Sequence, residues 1–228
     1  MKLKTSNKLL LGYVASLLVL IGGFLIFGFT NVKNIPENRF SANAEINSEA
    51  MAEFSVLHIS GNANLHMEKG DAFEIIRTTY PNDTVTVNID YSIRNDTCFV
   101  TQWERKGMNH AVLKVRNIET VIVESSNKIK IDDFAQDSLK VFLYAGQLET
   151  SHKLFKVDQL ELTASEGANA RLQGINNLQL NAENSEIQVY SYLESVSGEI
   201  KQGSRLQLQK SVGKLNLEKS RDSRLIAY

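Results

Sequence analysis

Residues 160–164 read LELTA, and similar segments follow at residues 178–182 (LQLNA), 196–200 (VSGEI) and 215–219 (LNLEK). Residues 141–145 (VFLYA) align before them, so that the five segments start 19, 18, 18 and 19 residues apart. Each of the last four segments is followed, about ten residues after its start, by a second short apolar stretch. A period of about 20 residues with two short strands is typical of stacked coils, in which every turn buries its apolar side chains against its neighbours.

The repeat therefore predicts an all-β chain folded as a parallel β-helix-like solenoid with coils of about 18–20 residues. An antiparallel sandwich or barrel is the rival architecture, because it also consists of short strands that start about 8–12 residues apart. The strands of such a fold are not equivalent positions of a repeat, so the pattern Leu-x-Leu-x-Ala is not expected to recur at a constant spacing. The solenoid is therefore the preferred prediction.

Short strands are also expected upstream of the repeat. In the segment TVTVNIDYSI, residues 84–93, apolar and polar side chains alternate, which is typical of a half-buried strand. Seven further short apolar runs lie between residues 54 and 132, separated by Gly, Asn or Asp turn residues. The alternation leaves open whether the strand from Val85 to Ile93 belongs to the solenoid or forms a cap on it.

The composition limits the possible partners and cofactors. The 228 residues include 25 Lys and Arg and 26 Asp and Glu, and a net charge of −1 gives no electrostatic basis for binding nucleic acid. A single cysteine, Cys98, cannot form an intramolecular disulfide or a thiolate metal cluster. Because it lies in the strand-like run TCFVTQW, we expect a buried thiol and no cofactor.

Residues 9–29 (LLLGYVASLLVLIGGFLIFGF) belong to a stretch of 24 uncharged residues between Lys8 and Lys33. As a helix this stretch spans about 36 Å, more than the roughly 30 Å of a bilayer's hydrocarbon core. The alternative is a cleaved signal peptide, whose apolar stretch is typically about 7–15 residues and ends at a small-residue cleavage site. Neither feature occurs here, so we predict an uncleaved signal anchor and transmembrane helix at residues 1–30.

Lysines at positions 2, 4 and 8 precede this helix, which favours a cytoplasmic amino terminus and an extracytoplasmic remainder. Residues 31–53 are rich in Asn, Ala, Glu and Ser and show no sustained alternation, so we predict a polar spacer. Residues 54–228 then form the β-helix-like domain. The sequence thus predicts three parts: an anchor, a spacer and one β-domain.

The opening of this domain, FSVLHISGNANLHMEKG at residues 54–70, is followed by FEIIR and then by the coils with small-residue turns. These features resemble the head GIN domain of auto-transporter adhesins, with the best match at Phe54, Val56, Ile59, Gly61 and Gly70. The turns here contain less Gly-Ser-Gly than is typical of that family. The resemblance covers roughly residues 54–228. It implies a right-handed parallel β-helix on an exported bacterial protein of the Bacteroidetes type. Together with the predicted anchor, this gives an expected location in the inner membrane with a periplasmic domain.

A recurring arginine is the first candidate for ligand binding. Arg171, Arg205 and Arg224 each precede a leucine after a coil turn, and Glu186 occupies the corresponding place in the intervening coil. Stacked in register, such a row suits an anionic glycan or a lipid headgroup. The alternative interpretation is that these arginines only cover a solvated edge.

A lone tryptophan is the second candidate. Trp103 is followed by the charged residues Glu104, Arg105 and Lys106, which mark an excursion between two strands. A protruding indole beside a cation is a plausible sugar platform. The alternative is that the tryptophan closes one end of the core.

No residue pattern predicts catalysis or a metal site. The histidines are not spaced like metal ligands, adjacent Asp132 and Asp133 point to opposite sides of a strand, and no ladder of carboxylates appears at the repeat spacing. We therefore expect no catalytic residues and no metal. The four histidines are His58, His66, His110 and His152.

The carboxy-terminal coil, SRDSRLIAY, ends the chain without a polar cap. Because an open coil exposes an apolar rung and unpaired backbone groups, we expect it to be an interaction surface for self-association or for a partner.

Three functions remain for comparison. The preferred hypothesis is a membrane-anchored binding or structural module of adhesin type, with a glycan or protein partner at the cell envelope. The second is a lipid- or lipopolysaccharide-handling bridge of β-jellyroll type, and the third is a glycan-active β-helix enzyme. A binding solenoid has a packed interior, whereas a lipid carrier leaves an apolar trough open.

Overall fold

The computed structural model describes residues 44–81, 83, 86–104, 107–125, 127–151 and 155–227. Every regular element in these residues is a β-strand, and the apolar–polar alternation of the sequence explains this because it gives each strand one buried face. The strands, in chain order, are β1 (Glu45–Ala50), β2 (Val56–Lys69), β3 (Glu74–Thr79), β4 (Ile89–Arg94), β5 (Thr97–Trp103), β6 (His110–Val115), β7 (Thr120–Glu124), β8 (Lys128–Asp132), β9 (Ala135–Tyr144), β10 (Gln147–Thr150), β11 (Lys156–Ser165), β12 (Asn169–Leu172), β13 (Ile175–Glu183), β14 (Glu186–Val189), β15 (Leu193–Lys201), β16 (Arg205–Leu208), β17 (Val212–Lys219) and β18 (Arg224–Ala227).

The strands form two sheets that share the long strand β2. Sheet I runs β4-β5-β2-β7-β9-β11-β13-β15-β17, through the first half of β2. Sheet II runs β1-β3-β6-β2-β8-β10-β12-β14-β16-β18, through the second half of β2. From β7 onward the chain alternates between the two sheets, so each coil contributes one strand to each.

The coils pair in parallel, which confirms the parallel solenoid and excludes the antiparallel sandwich. About five turns stack in this way. Leu160 pairs with Leu178, Leu178 with Val196, and Val196 with Leu215, as the repeat predicts. The right-handed sense of the coil stays a prediction.

One step of the predicted alignment is wrong. Val141 pairs with Leu162, and it is Leu139 that pairs with Leu160, so the first step is 21 residues long (139 to 160). The additional residues lie in the connection between β10 and β11, residues 151–155, which is longer than the two-residue connection between β12 and β13. Because Leu139, Val141 and Leu143 are apolar at every second position, the shift by two residues was invisible in the sequence.

The interior of the solenoid is closely packed with aliphatic side chains. Inward-facing residues of successive coils lie over one another, as in the ladder Val123, Leu143, Ala164, Ala182 and Ile200, all of which are almost completely buried. Side chains of different sizes thus fill the space between the sheets.

The amino-terminal end of the stack is covered by antiparallel strands. β4 pairs antiparallel with β5 at the edge of sheet I, whereas in sheet II β3 pairs antiparallel with β6 and β1 pairs antiparallel with β3. The question left open by the alternating segment is thereby answered for its described part: β4 (Ile89–Arg94) belongs to a cap, and residues 84 and 85 lie outside the described residues.

The strand β1 lies in the segment that we predicted as a spacer, and it pairs with β3 along all six of its residues. The predicted anchor at residues 1–30 and the spacer up to residue 43 lie outside the described residues, so the domain boundaries stay predictions. No helix in residues 44–227, as far as they are described, has the length and apolar character to cross a membrane.

Gly198 lies in the middle of β15, where its φ of +117° is a conformation that other residues rarely adopt. A Cβ added there would lie 2.0 Å from the carbonyl oxygen of Leu180 on the preceding coil. Gly203, in the next turn, has a φ of +75°, but a Cβ there would meet no atom within 4 Å. The two positions thus separate backbone strain from close contact between coils.

We predict that Gly203→Ala lowers the free energy of unfolding by about 1 kcal/mol through backbone strain alone. Gly198→Ala should cost at least about 2 kcal/mol more, because the added methyl group forces two coils apart. Urea unfolding followed by circular dichroism measures both values. Equal losses for the two variants would contradict the close approach of β15 to β13.

Candidate ligand-binding surface

Part of the outward face of sheet II carries an excess of cations, next to the carboxylates Glu68 and Asp132. Two adjacent ladders run along it, each formed by equivalent residues of successive coils. Together they contain five Lys and Arg residues but only two carboxylates, although the whole chain has a net charge of −1. The first ladder is Asn64, Lys128, Gln147, Asn169, Glu186, Arg205 and Arg224, and the second is His66, Lys130, Glu149, Arg171, Gln188, Gln207 and Ile226. We call these two ladders the cationic face.

The three arginines singled out from the sequence all lie on the cationic face, but not in one row. Arg205 pairs with Arg224 on one side and with Glu186 on the other, as predicted. Arg171 pairs with Gln188, which places it in the neighbouring ladder, two residues along the strand. The prediction of a single row is therefore wrong for Arg171, because β12 begins at Asn169 and that residue aligns with Glu186.

The guanidinium groups of these arginines have few partners within the described part of the chain. Arg205 Nη1 lies 3.9 Å from Glu186 Oε1, and the buried Arg205 Nε makes no hydrogen bond there. Arg171 and Arg224 are exposed. The lysines of the same face are already paired, Lys128 Nζ with Glu149 Oε2 at 2.7 Å and Lys130 Nζ with Asp132 Oδ2 at 2.5 Å.

Two shallow grooves follow the cationic face and share Asn169. One, of about 270 Å³, is lined by Lys128, Glu149 and Arg171 among others. The other, of about 510 Å³, runs past the turns between the sheets and is lined by Glu186, Arg205, Arg224 and Asp222 among others. An extended anionic chain lying across the coils would meet a guanidinium group from either ladder. Adjacent coils repeat such groups at the strand spacing of about 4.8 Å.

Trp103 is not a sugar platform. Its side chain is 2% exposed and lies in the core, where β5 aligns it with Ala63 of β2 and Ile89 of β4. The prediction of a surface role is therefore wrong, and the alternative interpretation holds: the indole fills the core at the capped end of the stack. Its position is out of step with the buried Cys98 and Val100, because an irregularity of register beside Thr101 interrupts the alternation of β5 and turns Trp103 inward.

Cys98 is fully buried, as predicted from its strand. Burial away from water raises the pKa of its thiol to about 12. A thiol in this state is a poor nucleophile and a poor metal ligand, because both roles need the thiolate.

A small network of charges surrounds Asp132 at the end of β8. His66 Nε2 lies 2.8 Å from Asp132 Oδ2, and it also lies 3.4 Å from Glu68 Oε1. Burial raises the pKa of the Asp132 carboxyl, but the hydrogen bond from Lys130 and the charges of Lys130 and His66 outweigh this effect, so the pKa is below its ordinary value of 3.8. Asp132 is therefore an ionised anchor for two basic side chains. Asp133 follows the end of β8, and its side chain is exposed.

The other histidines stand apart from this network. His58 Nε2 lies 3.3 Å from Glu124 Oε2 on sheet I, and His110 Nδ1 lies 3.1 Å from the carbonyl oxygen of Met108. His152 lies outside the described residues. The described residues contain no group of three or more His, Cys, Asp or Glu side chains arranged to hold a metal ion.

The outward face of sheet I carries a ladder that the sequence did not reveal. It begins with apolar and aromatic residues, and the imidazole of His58 lies 5.4 Å from the Phe99 ring, centroid to centroid. It ends with two carboxylates side by side, Glu199 and Glu218. The full ladder is Phe99, His58, Ile122, Phe142, Thr163, Asn181, Glu199 and Glu218.

Two cations cover the aromatic part of this ladder. The guanidinium of Arg94 lies 4.6 Å from the centre of the Phe99 ring, and Lys140 Nζ lies 5.6 Å from the centre of the Phe142 ring. These rings are half-buried under their own chain's charged side chains, so the cationic face of sheet II is the better candidate for a ligand. The strand order β5-β2-β7-β9, which differs from chain order, prevented sequence analysis from aligning these residues.

The charge network around Asp132 predicts a pH-dependent contribution to stability. Because the folded-state pKa is lowered, the contribution is present above the unfolded value of about 3.9 and is lost as the pH falls through the folded-state pKa. Asp132→Asn should therefore destabilise the protein at pH 5, and the difference from wild type should shrink at pH 3. Asp133→Asn, at an exposed position with a φ of 42° that suits asparagine, should change stability by less than about 0.5 kcal/mol. Urea unfolding at the two pH values measures this, and a difference that stays constant between them would contradict the assignment.

The chain is similar to several solved structures. The crystal structure of a "putative adhesin" from Bacteroides fragilis NCTC 9343 has a TM-score of 0.55 and 11% sequence identity, and covers 82% of this chain and 98% of the other. A "putative adhesin" from Parabacteroides distasonis ATCC 8503 follows, with a TM-score of 0.47, 12% identity and coverages of 82% and 96%. A "putative lipid binding protein" from the same strain has a TM-score of 0.42, 14% identity and coverages of 82% and 95%. At these identities the first likeness shows a shared fold.

No curated protein matches this chain in sequence. The sequence profile of one family matches residues 53–193, which is more than half of the chain and includes the strands β2 to β14. The description of that family is "Putative auto-transporter adhesin, head GIN domain". The resemblance inferred from residues 54–70 and from the coils is thereby confirmed: the chain belongs to the head GIN domain family of auto-transporter adhesins.

Proposed function

We propose that this chain is a non-catalytic, adhesin-like binding module of the bacterial cell envelope that takes an anionic glycan on its cationic face. The observation that carries the proposal is the charge of that face, where five Lys and Arg residues stand against two carboxylates on a chain of net charge −1. Membership in an adhesin family and a regular, rigid surface of stacked strands support a role in binding.

The arginines suit carboxylate or sulfate groups on a polymer. A guanidinium group presents a planar fork of donors that matches such anions in two parallel hydrogen bonds. Arg205 and Arg224 lie in adjacent coils, and Arg171 offers a third fork in the neighbouring ladder. Lys128 and Lys130 are tied to carboxylates, so the arginines rather than the lysines would bind the ligand.

The two alternative functions have less support. A lipid-handling bridge needs an open apolar trough, whereas the described coils before the last one have an interior of buried Leu, Val, Ile and Ala side chains. A glycan-active enzyme needs two carboxyl groups on either side of a bound sugar. Glu199 and Glu218 are neighbours, but Glu199 Oε2 is paired with Lys201 at 2.5 Å and Glu218 lies exposed on the last coil. Neither carboxyl group lies in the enclosed surroundings that are typical of a catalytic acid.

Binding to a glycan is tested with heparin as the anionic probe and dextran as the neutral control, by titration calorimetry on the full-length chain. We predict that Arg205→Gln/Arg224→Gln raises the dissociation constant for heparin at least about tenfold, because two charge-assisted contacts of about 1.4 kcal/mol in total or more are lost. The matched control is Lys140→Gln/Lys201→Gln, which removes two cations from sheet I and should leave the constant unchanged.

Three outcomes would overturn this proposal. They are no binding of heparin by the wild-type chain at low salt, equal weakening by both double variants, and binding of phosphatidylglycerol vesicles without binding of heparin. The last result would assign the arginines to a lipid headgroup instead. Dextran should not bind in any case, because it offers no anionic group to a guanidinium.

The proposed location is the bacterial inner membrane, with residues 1–30 as a single-pass anchor and the β-domain in the periplasm. A tag at the amino terminus and one at the carboxy terminus test this in a Gram-negative host. Both tags should remain on one membrane-bound chain, and protease added to spheroplasts should remove only the carboxy-terminal tag. A periplasmic chain that has lost its amino-terminal tag would show cleavage and would contradict the anchor.

A further inference from the structure

The last coil leaves one edge of the solenoid open. β17 pairs with β15 and β18 pairs with β16, and no other strand in the described residues pairs with either of them. On the inward face of β17, Leu215 is 49% exposed although its equivalent Val196 is 1% exposed. The same loss of cover affects Leu217 and Leu225, which are only partly buried. The final rung is therefore apolar, and its backbone donors and acceptors face outward.

We infer that this edge binds the same edge of a second copy of the chain, with the two β17 strands antiparallel about a two-fold axis at Asn216. This axis is perpendicular to the plane of sheet I, so it reverses the direction of the strand. Side chains that face inward in one copy therefore also face inward in the other. Leu215 then faces Leu217 of the other copy, twice by symmetry, and the two open rungs cover each other. Such an isologous contact closes on itself and yields a dimer.

Charge complementarity is what points to a second copy as the occupant. In this register Lys214 faces Glu218 of the other copy, and symmetry makes the pair twice. Within the described residues of one chain, neither Lys214 nor Glu218 has an ion-pair partner, and both are exposed. Glu218 instead lies beside Glu199 in the sheet I ladder, a like-charge neighbour that costs stability when the two carboxylates lie directly opposite each other. The lysine of the second copy would supply the missing cation.

The carboxy-terminal end of β17 is protected by a lysine, and the proposed contact leaves the interactions of this lysine intact. Lys219 occupies the inward position that Ile200 holds in the preceding coil. Its Nζ lies 3.0 Å from the carbonyl oxygen of Ser223 and 3.2 Å from that of Ser220, so the charge is satisfied within its own chain. An inward-pointing lysine discourages indiscriminate pairing at a sheet edge. Specific pairing is thus confined to the part of β17 that carries Lys214, the two leucines and Glu218.

Charge reversal tests the inference on the full-length chain in mild detergent, with mass measured by analytical ultracentrifugation. Wild type should form a concentration-dependent dimer. Lys214→Glu alone and Glu218→Lys alone should each raise the dimer dissociation constant at least about tenfold, because both symmetric pairs become repulsive. The double variant Lys214→Glu/Glu218→Lys should restore the constant to within about threefold of wild type, because the pairs are re-formed with exchanged signs.

A wild-type chain that stays monomeric at 200 µM, a mass that grows beyond the dimer, or a double variant no tighter than the single variants would each overturn the inference. Circular dichroism checks that the variants fold. The inference does not depend on the glycan proposal, because the probe here is the protein's own mass without any glycan.

A cysteine trap gives a second test that does not rely on charge. Asn216→Cys places a thiol on the two-fold axis, where opposed Cα atoms lie about 4.5–5.5 Å apart, within the range of a disulfide. Added oxidant should convert this variant to a covalent dimer. Ser197→Cys, the matched control, lies one coil earlier at about 14 Å from its symmetry mate and should stay monomeric. Buried Cys98 does not interfere. Equal cross-linking of both variants, or of neither, would contradict the proposed register.

Discussion

Parallel pairing of each strand with its equivalent in the preceding coil is the constraint on which the rest of this structure depends. Because both sheets grow in step, the register determines the neighbours of every side chain above and below it. Inside, the register stacks Leu160 on Leu178 and Ala164 on Ala182, which excludes water and contributes most of the stability. It also brings backbones so close together that a position such as Gly198 has no room for a side chain.

The same register arranges the outward-facing residues in rows, so the outward faces of sheets I and II carry different charges. A charge that recurs at the repeat spacing becomes a row of like charges about 4.8 Å apart. Such a row costs some stability, and solvent exposure limits this cost because water screens the repulsion. Arg205 with Arg224 and Glu199 with Glu218 are two examples on opposite sheets. Like charges kept side by side in a solenoid are therefore candidates for contacts with an oppositely charged partner, and both proposals start from such a pair.

The sequence was sufficient to predict the solenoid but not the details that decide the sites. The recurrence of Leu-x-Leu-x-Ala predicted the parallel coils, because only equivalent coils impose the same pattern at the same spacing. The burial of Cys98 followed from the parity of its strand. The step from Leu139 to Leu160 was misread by two residues, since an alternating strand looks the same after a shift of two. That property of strands is also why Arg171 was placed in the wrong row. The burial of Trp103 depends instead on an irregularity of register in β5, which the sequence pattern does not reveal.

The two ends of the stack protect their edge strands in different ways, and the difference determines where the protein can associate. The amino-terminal end is closed by antiparallel strands, and the outermost strand of sheet II, β1, exposes Glu45 and Glu49. The carboxy-terminal end has no further strand among the described residues and relies on Lys219 at an otherwise apolar position. A lysine protects only the corner that it reaches, so Leu215 and Leu217 remain available between Lys214 and Glu218. A strand with opposite charges on either side of its centre is complementary to itself when reversed, which is why a second copy fits this edge better than an unrelated strand.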